Sequence, residues 1–331
     1  MTNAAFYQLG PLREYLEDPT VFEIRINRFQ EVICDTFSGR RVVENAAITA
    51  DFIRNLAKSL VSSNKLTMQP INDVVLPGGI RGVICLPPAV IEGTTAVAFR
   101  KDLAADKNLA QLTDEGIFSD CRKITGSKQS LTEDDFLLKE LHSSEKWPAF
   151  LQMAVEKKRT IVICGETGSG KTVLTRALLK ALHKDERVVI LEDVHEVTVN
   201  HVVEAVYMVY GDAGKIGRIS ATDALRACMR LTPGRIIMTE LRDDAAWDYL
   251  KALNTGHPGG VMSTHANSAR DAFNRIGLLI KATPIGRMLD MSDIMRMLYS
   301  TIDVVVHMEK RKIKEIYFDP EYKMQCVNGS L

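Results

Sequence analysis

Eight residues, Gly165-Glu166-Thr167-Gly168-Ser169-Gly170-Lys171-Thr172, follow the apolar run Thr160-Ile161-Val162-Ile163-Cys164 and open a helical pattern. Their spacing is a complete G-x-x-x-x-G-K-[ST] phosphate loop in its proper context between strand and helix. A triphosphate must be wrapped by backbone N–H groups at close range, and a side chain at the glycine positions would obstruct that approach. Gly165, Gly168 and Gly170 keep the path clear. The loop then delivers phosphate to a helix N-terminus, where unpaired N–H groups and the helix dipole favour negative charge. Lys171 is expected to reach the β- and γ-phosphates, and the Thr172 hydroxyl to ligate a Mg²⁺ ion that bridges phosphate oxygens. Glu166, Thr167, Ser169 and Val173 complete the nucleotide-binding stretch.

Three more segments carry groups suited to phosphate chemistry. Val188-Val189-Ile190-Leu191 runs into Glu192-Asp193-Val194-His195-Glu196, which puts carboxylates where one can hold Mg²⁺ or orient water. On its own a Glu-Asp pair after a strand is more often a solvated loop or a helix cap. Ile236-Ile237-Met238 leads to Thr239-Glu240-Leu241-Arg242, so Glu240 stands at a strand end as a degenerate Walker B acid. A surface ion pair between Glu240 and Arg242 is the plainer alternative. In the third segment, 254–267, His257 and His265 bracket a short strand. No cysteine lies nearby, so a metal reading is weak. His265 would instead face the γ-phosphate from a strand end, while His257 suits a structural role in the glycine turn equally well.

These groups need a scaffold that gathers residues ~100 positions apart. From Pro148 onward the pattern alternates helix and strand, with core strands expected at 160–164, 188–191, 235–239, 261–264 and 302–306. That rhythm gives an α/β fold with a mainly parallel sheet, which binds ligands outside the carboxyl ends of its strands. Val173, Leu174, Ala177, Leu178, Ala181 and Leu182 are spaced as one apolar helix stripe. Residues 12–100 mix short strands, such as 21–26 and 95–100, with a helix near 50–64, as in a smaller α+β domain. The chain therefore divides into an N-terminal domain over 1–120, a linker over 121–147 with a flexible point at 126–130, and a second domain over 148–331.

Composition removes other classes. The chain has 331 residues with 42 basic and 42 acidic side chains, so nothing in the net charge suggests a protein built to coat nucleic acid or anionic lipid, local patches aside. No aromatic, basic stripe suits base stacking, so no dedicated nucleic-acid-binding motif is present. Six dispersed cysteines form no C-x-x-C pair and read as reduced thiols. The first seven residues lack a secretory pattern, and no apolar run reaches the ~18 residues of a membrane span. A cytoplasmic protein is expected, with any membrane contact peripheral.

In order, spacing and local sequence the four segments resemble the hallmark boxes of the secretion traffic ATPases: Walker A, an Asp box at 188–197, a degenerate Walker B at 235–242 and a His box at 254–267. The short N-terminal domain and the lack of a tetracysteine insertion are most similar to the type IV secretion ATPases of the VirB-eleven kind. Pro11 to Arg28 resembles that family's opening motif, although Phe29 stands where proline is usual. Gly79-Ile80-Arg81 and Ala98-Phe99-Arg100-Lys101 look like the segments whose arginines reach the nucleotide across the domain interface. Leu225 to Arg235 resembles the arginine-rich helix and turn before Walker B, with Arg226 and Arg230 at a subunit boundary or simply solvated. The resemblance implies a RecA-like ATPase domain, ATP and Mg²⁺ as ligands, and a homo-hexameric ring peripheral to the cytoplasmic face of the inner membrane. Its partners there would be other type IV secretion components, including other secretion ATPases. It also implies catalytic duties for Lys171, Glu192, Glu240, His265, Arg81 and Arg100, with Thr172, Glu192 and Glu240 on the metal. A DNA translocase or helicase, and a nucleotide-gated scaffold without turnover, are the alternatives.

Overall fold

The computed structural model describes residues 9–101, 107–123, 129–211, 219–242 and 245–329. Residues 1–7, read for a secretory pattern, and positions 126–128 of the expected flexible point lie outside these.

Six strands fill the first part of the chain: β1 (Val21–Ile26), β2 (Glu31–Thr36), β3 (Gly39–Glu44), β4 (Ile71–Val75), β5 (Arg81–Cys85) and β6 (Ala96–Arg100). They pair antiparallel in the order β3-β2-β1-β6-β5-β4. The helix Ala50–Ser63 lies on this sheet because Ile53, Leu56, Ala57, Leu60 and Val61 recur at helical spacing and are all buried. Thr49 starts it, its hydroxyl accepting the Phe52 amide at 3.1 Å. With Ile24, Ile26, Ile84, Val97 and Phe99 these residues form a core of their own.

The second sheet holds β7 (Ile161–Gly165), β8 (Arg187–Glu192), β9 (Glu204–Val209), β10 (Arg235–Met238), β11 (Val261–Thr264), β12 (Val304–Glu309) and β13 (Lys312–Phe318). Its order is β13-β12-β7-β11-β10-β8-β9, parallel throughout except for the β12–β13 hairpin. β7, β8, β10 and β11 are buried at every position, which is why residues 161–164, 188–191 and 236–238 read as apolar runs. β9 and β13 were not expected. β9 buries only alternate residues, and β13 exposes most of its length.

The apolar stripe expected after the phosphate loop is only partly packed. The helix after the phosphate loop ends at Leu179 and buries Thr175, Leu178 and Leu179, while Val173 is 68 % exposed rather than part of the packed stripe. Within the expected linker, Glu133–Ser143 is a helix capped by Thr132 and Asp135. Its Leu138 packs with Phe150 and Leu151 in the core of the second sheet.

The two sheets are joined by shared core and shared charge. Val83, Cys85, Ala96 and Ala98 of β5 and β6 pack with Ala224, Ala227 and Cys228 of the helix Ala221–Arg230. Residues 89–91 run along the edge of β9, where the Val209 amide donates to Ala89 O at 2.9 Å and Val90 bridges Met208. Beside them Arg25 of β1 is 1 % exposed, and its Nε donates to Glu204 Oε2 at 2.7 Å. The same guanidinium also bonds Glu23 and Asp35. Arg187 Nη1 and Arg40 Nε reach the fully buried Glu204 as well, at 2.7 and 2.6 Å. Burial works against the ionised form of Glu204, but the bonds from Arg25 and the charges of Arg187, Arg25 and Arg40 outweigh it and hold its carboxyl below the usual value. Arg230 pairs with Asp73, tying the helix Ala221–Arg230 to β4.

Candidate nucleotide-binding site

β7 lies between β11 and β12, both parallel to it, so its carboxyl end points where theirs do. The chain leaves β7 at Gly165, crosses the loop and re-enters regular structure at Lys171. Gly170 caps the helix in a left-handed conformation, φ 97°, and no side chain bonds the first-turn amides. Those amides are thus presented to an anion. Gly165 has a second reason to be glycine. At φ 148° a Cβ there would stand 2.2 Å from the Met308 carbonyl oxygen of β12.

The loop borders a cleft of about 820 Å³ lined by Gly168, Gly170, Lys171, Thr172 and Val173 on one side and by Asp193, Glu196, Glu240, Arg242, Ser263 and His265 on the other. Lys171 Nζ donates to the carbonyl oxygens of Gly165 and Glu166 at 2.8 and 2.9 Å. Burial lowers its pKa, with Glu240 pulling the other way. Ser169 Oγ is buried with no hydrogen-bond partner among the described residues.

A charge relay crosses the far wall. His265 Nε2 lies 3.5 Å from Glu240 Oε1, Arg242 Nη2 bonds Glu240 Oε2 at 2.6 Å, and the same nitrogen bonds Asp193 Oδ2 at 2.9 Å. The Arg242 bond is the main reason that the Glu240 carboxyl titrates below its usual value. The ion-pair and Walker B readings of Glu240 are therefore compatible, because the pair sits inside the cleft. Ser263 Oγ donates to Thr239 O at 2.6 Å, and the Leu241 amide donates to Ser263 O at 2.8 Å, which fixes the end of β10 to that of β11.

Glu192 was expected beside the metal, but its carboxylate faces away from the cleft. It is 1 % exposed; Oε1 accepts the amides of Glu196 and Val197 at 3.1 and 3.0 Å, and Oε2 meets His195 Nδ1 at 2.9 Å. Burial raises its pKa against those bonds. Glu192 thus braces the turn that carries Asp193 and Glu196 to the cleft wall. Arg81 and Arg100 are also outside the cleft of their own chain. They stand opposite each other on β5 and β6 and line a separate groove of about 420 Å³ with Asp73, Met229, Arg230 and Thr232. His257 bonds Pro233 O at 2.7 Å and holds the glycine turn. Arg226 is solvated, 3.9 Å from Asp223.

The donor set suits Mg²⁺ bound together with phosphate. Thr172 and Glu240 offer oxygen ligands, and the described residues contain no cluster of three or more His, Cys, Asp or Glu able to hold a metal alone. A hard cation with few protein ligands completes its shell from nucleotide and water. Cys164, one residue before the loop, has its thiol pushed up to about 12 by burial and donates to Ser268 O. Burial therefore favours the neutral thiol. No helix among the described residues is long and apolar enough to cross a membrane.

A parallel sheet with a phosphate loop after a central strand, and acidic and imidazole groups at neighbouring strand ends, defines a RecA-like P-loop nucleoside triphosphatase. Residues 127–315 match the family model described as type II/IV secretion system protein. VirB11 of Bartonella quintana is 33% identical over 338 residues, covering 97% of this chain and 94% of its own length. PtlH of Bordetella pertussis, another type IV secretion system protein, is 33% identical over 92% of this chain and 90% of its own. The crystal structure of the VirB11 ATPase from the Brucella suis type IV secretion system superposes with a TM-score of 0.91 at 31% identity, covering 98% of this chain and 97% of that one. The chain belongs to the type II/IV secretion system protein family and is an ATPase of its VirB11 branch.

Proposed function

We propose that this ATPase hydrolyses Mg²⁺-bound ATP in a homo-hexameric ring at the cytoplasmic face of the inner membrane, energising pilus assembly and substrate export alongside other type IV secretion components. The observation that carries the reading is the convergence of Lys171, Thr172, Glu240 and His265 on one cleft. The domain division at 1–120, 121–147 and 148–331 is retained, with the linker partly packed on the second sheet.

On this reading Lys171 leaves the Gly165 and Glu166 carbonyls for the β- and γ-phosphates, a better acceptor for an ammonium. Gly165 to Val173 hold the remaining phosphate oxygens through backbone amides. Thr172 and Glu240 would hold Mg²⁺, which when bound neutralises the charge developing on the transferred group. Asp193, rather than Glu192, is the second carboxylate near the reacting water. His265, bridged to Asp193 through Glu240 and Arg242, senses the γ-phosphate. Arg81 and Arg100 act across a domain interface, on a nucleotide their own chain does not bind. Loss of the γ-phosphate then removes charge-assisted bonds of about 1.5–3 kcal/mol each, enough to shift a domain equilibrium.

The test is Lys171→Ala in the full chain. Turnover should vanish while far-UV circular dichroism stays unchanged; full activity in that variant would exclude the site.

A further inference from the structure

Three lysine or arginine side chains line the cleft, and two are already engaged. Lys171 bonds the loop carbonyls, and Arg242 bonds Glu240 and Asp193. The Arg311 side chain makes no hydrogen bond or ion pair among the described residues.

Its position is reached by an unfavourable backbone. Glu309 and Lys312 pair at the end of the β12–β13 hairpin, leaving a two-residue loop of Lys310 and Arg311 at φ 48° and 62°. Two consecutive left-handed residues define a type I′ turn, where Asn-Gly is the favoured pair. Bulky side chains held in such a conformation point to a functional demand at that position. Lys310 is 85 % exposed and pairs with its neighbour Glu309 at 3.3 Å. Arg311 instead belongs to the cleft wall.

The hairpin is registered on the phosphate loop itself. Met308 of β12 pairs with Gly165, and a Cβ at Gly170 would lie 3.4 Å from Met308 Cε and 3.8 Å from Arg311 Cα. Sheet order then decides which part of a nucleotide Arg311 meets. With β12-β7-β11-β10 side by side, Glu240 and His265 follow β10 and β11 on one flank of the loop, and Arg311 follows β12 on the other. On the reading proposed above the γ-phosphate would face the acidic flank, which leaves the opposite flank to the α- and β-phosphates.

We propose that Arg311 is a nucleotide-binding residue that neutralises the α- and β-phosphates, the part shared by ATP and ADP, and that the strained β12–β13 turn exists to present it. The assignment rests on the nucleotide being seated on the 165–172 loop. A contact made equally in substrate and product gives uniform binding, so its loss raises KM and leaves kcat at saturating ATP nearly unchanged.

Arg311→Gly tests this without disturbing the turn, because glycine favours the left-handed backbone there. Titration of the full chain with a fluorescent ADP and with a non-hydrolysable ATP analogue should show both affinities falling about tenfold to a hundredfold, the range for a lost charge-assisted bond. Arg311→Lys should keep part of the affinity as a point charge, and Lys310→Ala should bind like the parent. Unchanged ADP affinity in Arg311→Gly overturns the proposal. So does a fall in kcat with ADP affinity intact, or an equal loss in Lys310→Ala, which would reduce the effect to a general field. If the parent chain fails to bind ADP, or Lys171→Ala binds it normally, the seat on the loop is wrong whatever Arg311 does.

Discussion

Glu204→Gln should destabilise the fold by about 3 kcal/mol, because the Glu204 carboxylate is shared by guanidinium groups that cannot reach water. Arg25 and Arg187 are 1 % and 5 % exposed, and both bond Glu204 Oε2 at 2.7 Å. Removing one partner of a buried ion pair costs about 3–5 kcal/mol, since the remaining charge is stranded. The lower end applies to Arg25, which keeps Asp35 and Glu23. Arg187 is the exposed weakness. Burial already lowers its pKa to about 10 with Glu204 present, and the variant leaves it only neutral acceptors, the Leu231 carbonyl, Asn27 Oδ1 and the new amide oxygen. Urea unfolding followed by circular dichroism reads the loss. Arg40→Ala should cost under about 1 kcal/mol, since Arg40 is 30% exposed. The depressed carboxyl also sets a pH sign. Glu204 contributes stability above its ordinary value of 4.5 and loses it as pH falls through the folded value, so Glu204→Gln should flatten the acid limb below pH 4.5. A Glu204→Gln chain within 1 kcal/mol of the parent, on the scale of a surface pair, would refute the reasoning.

Three further outcomes are expected. Gly165→Ala should destabilise by about 3 kcal/mol and abolish nucleotide binding, whereas Gly168→Ala, strained but with open space around it, should cost about 1–2 kcal/mol; equal shifts in thermal unfolding would contradict the Met308 clash. Arg242→Ala removes the largest cause of the low Glu240 pKa, so the acid limb of the ATPase pH–rate profile should move to higher pH. A limb that stays in place means that Glu240 does not control it. Mixing Arg81→Ala/Arg100→Ala chains with Lys171→Ala chains should restore part of the turnover lost by each alone, because intact arginines of one copy would meet the intact loop of another. No recovery in mixtures shown to co-assemble would assign the arginines to their own chain.

What was legible in the sequence followed how local the cause was. The phosphate loop is specified by glycines and a Lys-Thr pair within eight positions, and the apolar centres of β7, β8 and β10 announce buried strands. The direction of Glu192 was not legible, because it depends on the turn that returns the amides of Glu196 and Val197 to its own carboxylate. Arg25 sits in an alternating strand and reads as a solvent-facing residue until Glu204, 179 positions away, explains its burial. Arg311 carries no motif at all. Its turn uses Lys-Arg where Asn or Gly would signal a hairpin, so β13 went unseen along with it. Glu133–Ser143 reads as linker because its polar surface outweighs the few contacts, such as Leu138, that anchor it.

The strip 89–91 along β9 has a consequence for how copies of this chain can meet. An unpaired strand invites another backbone to zip onto it, and here that invitation is withdrawn on one flank by the first domain itself. The opposite flank ends in β13, whose Lys312 and Lys314 are the kind of charged residues that deter such zipping. In a ring of the kind proposed above, neighbouring copies would thereby be steered away from ladder formation and toward side-chain surfaces, contacts that can loosen and re-form during turnover.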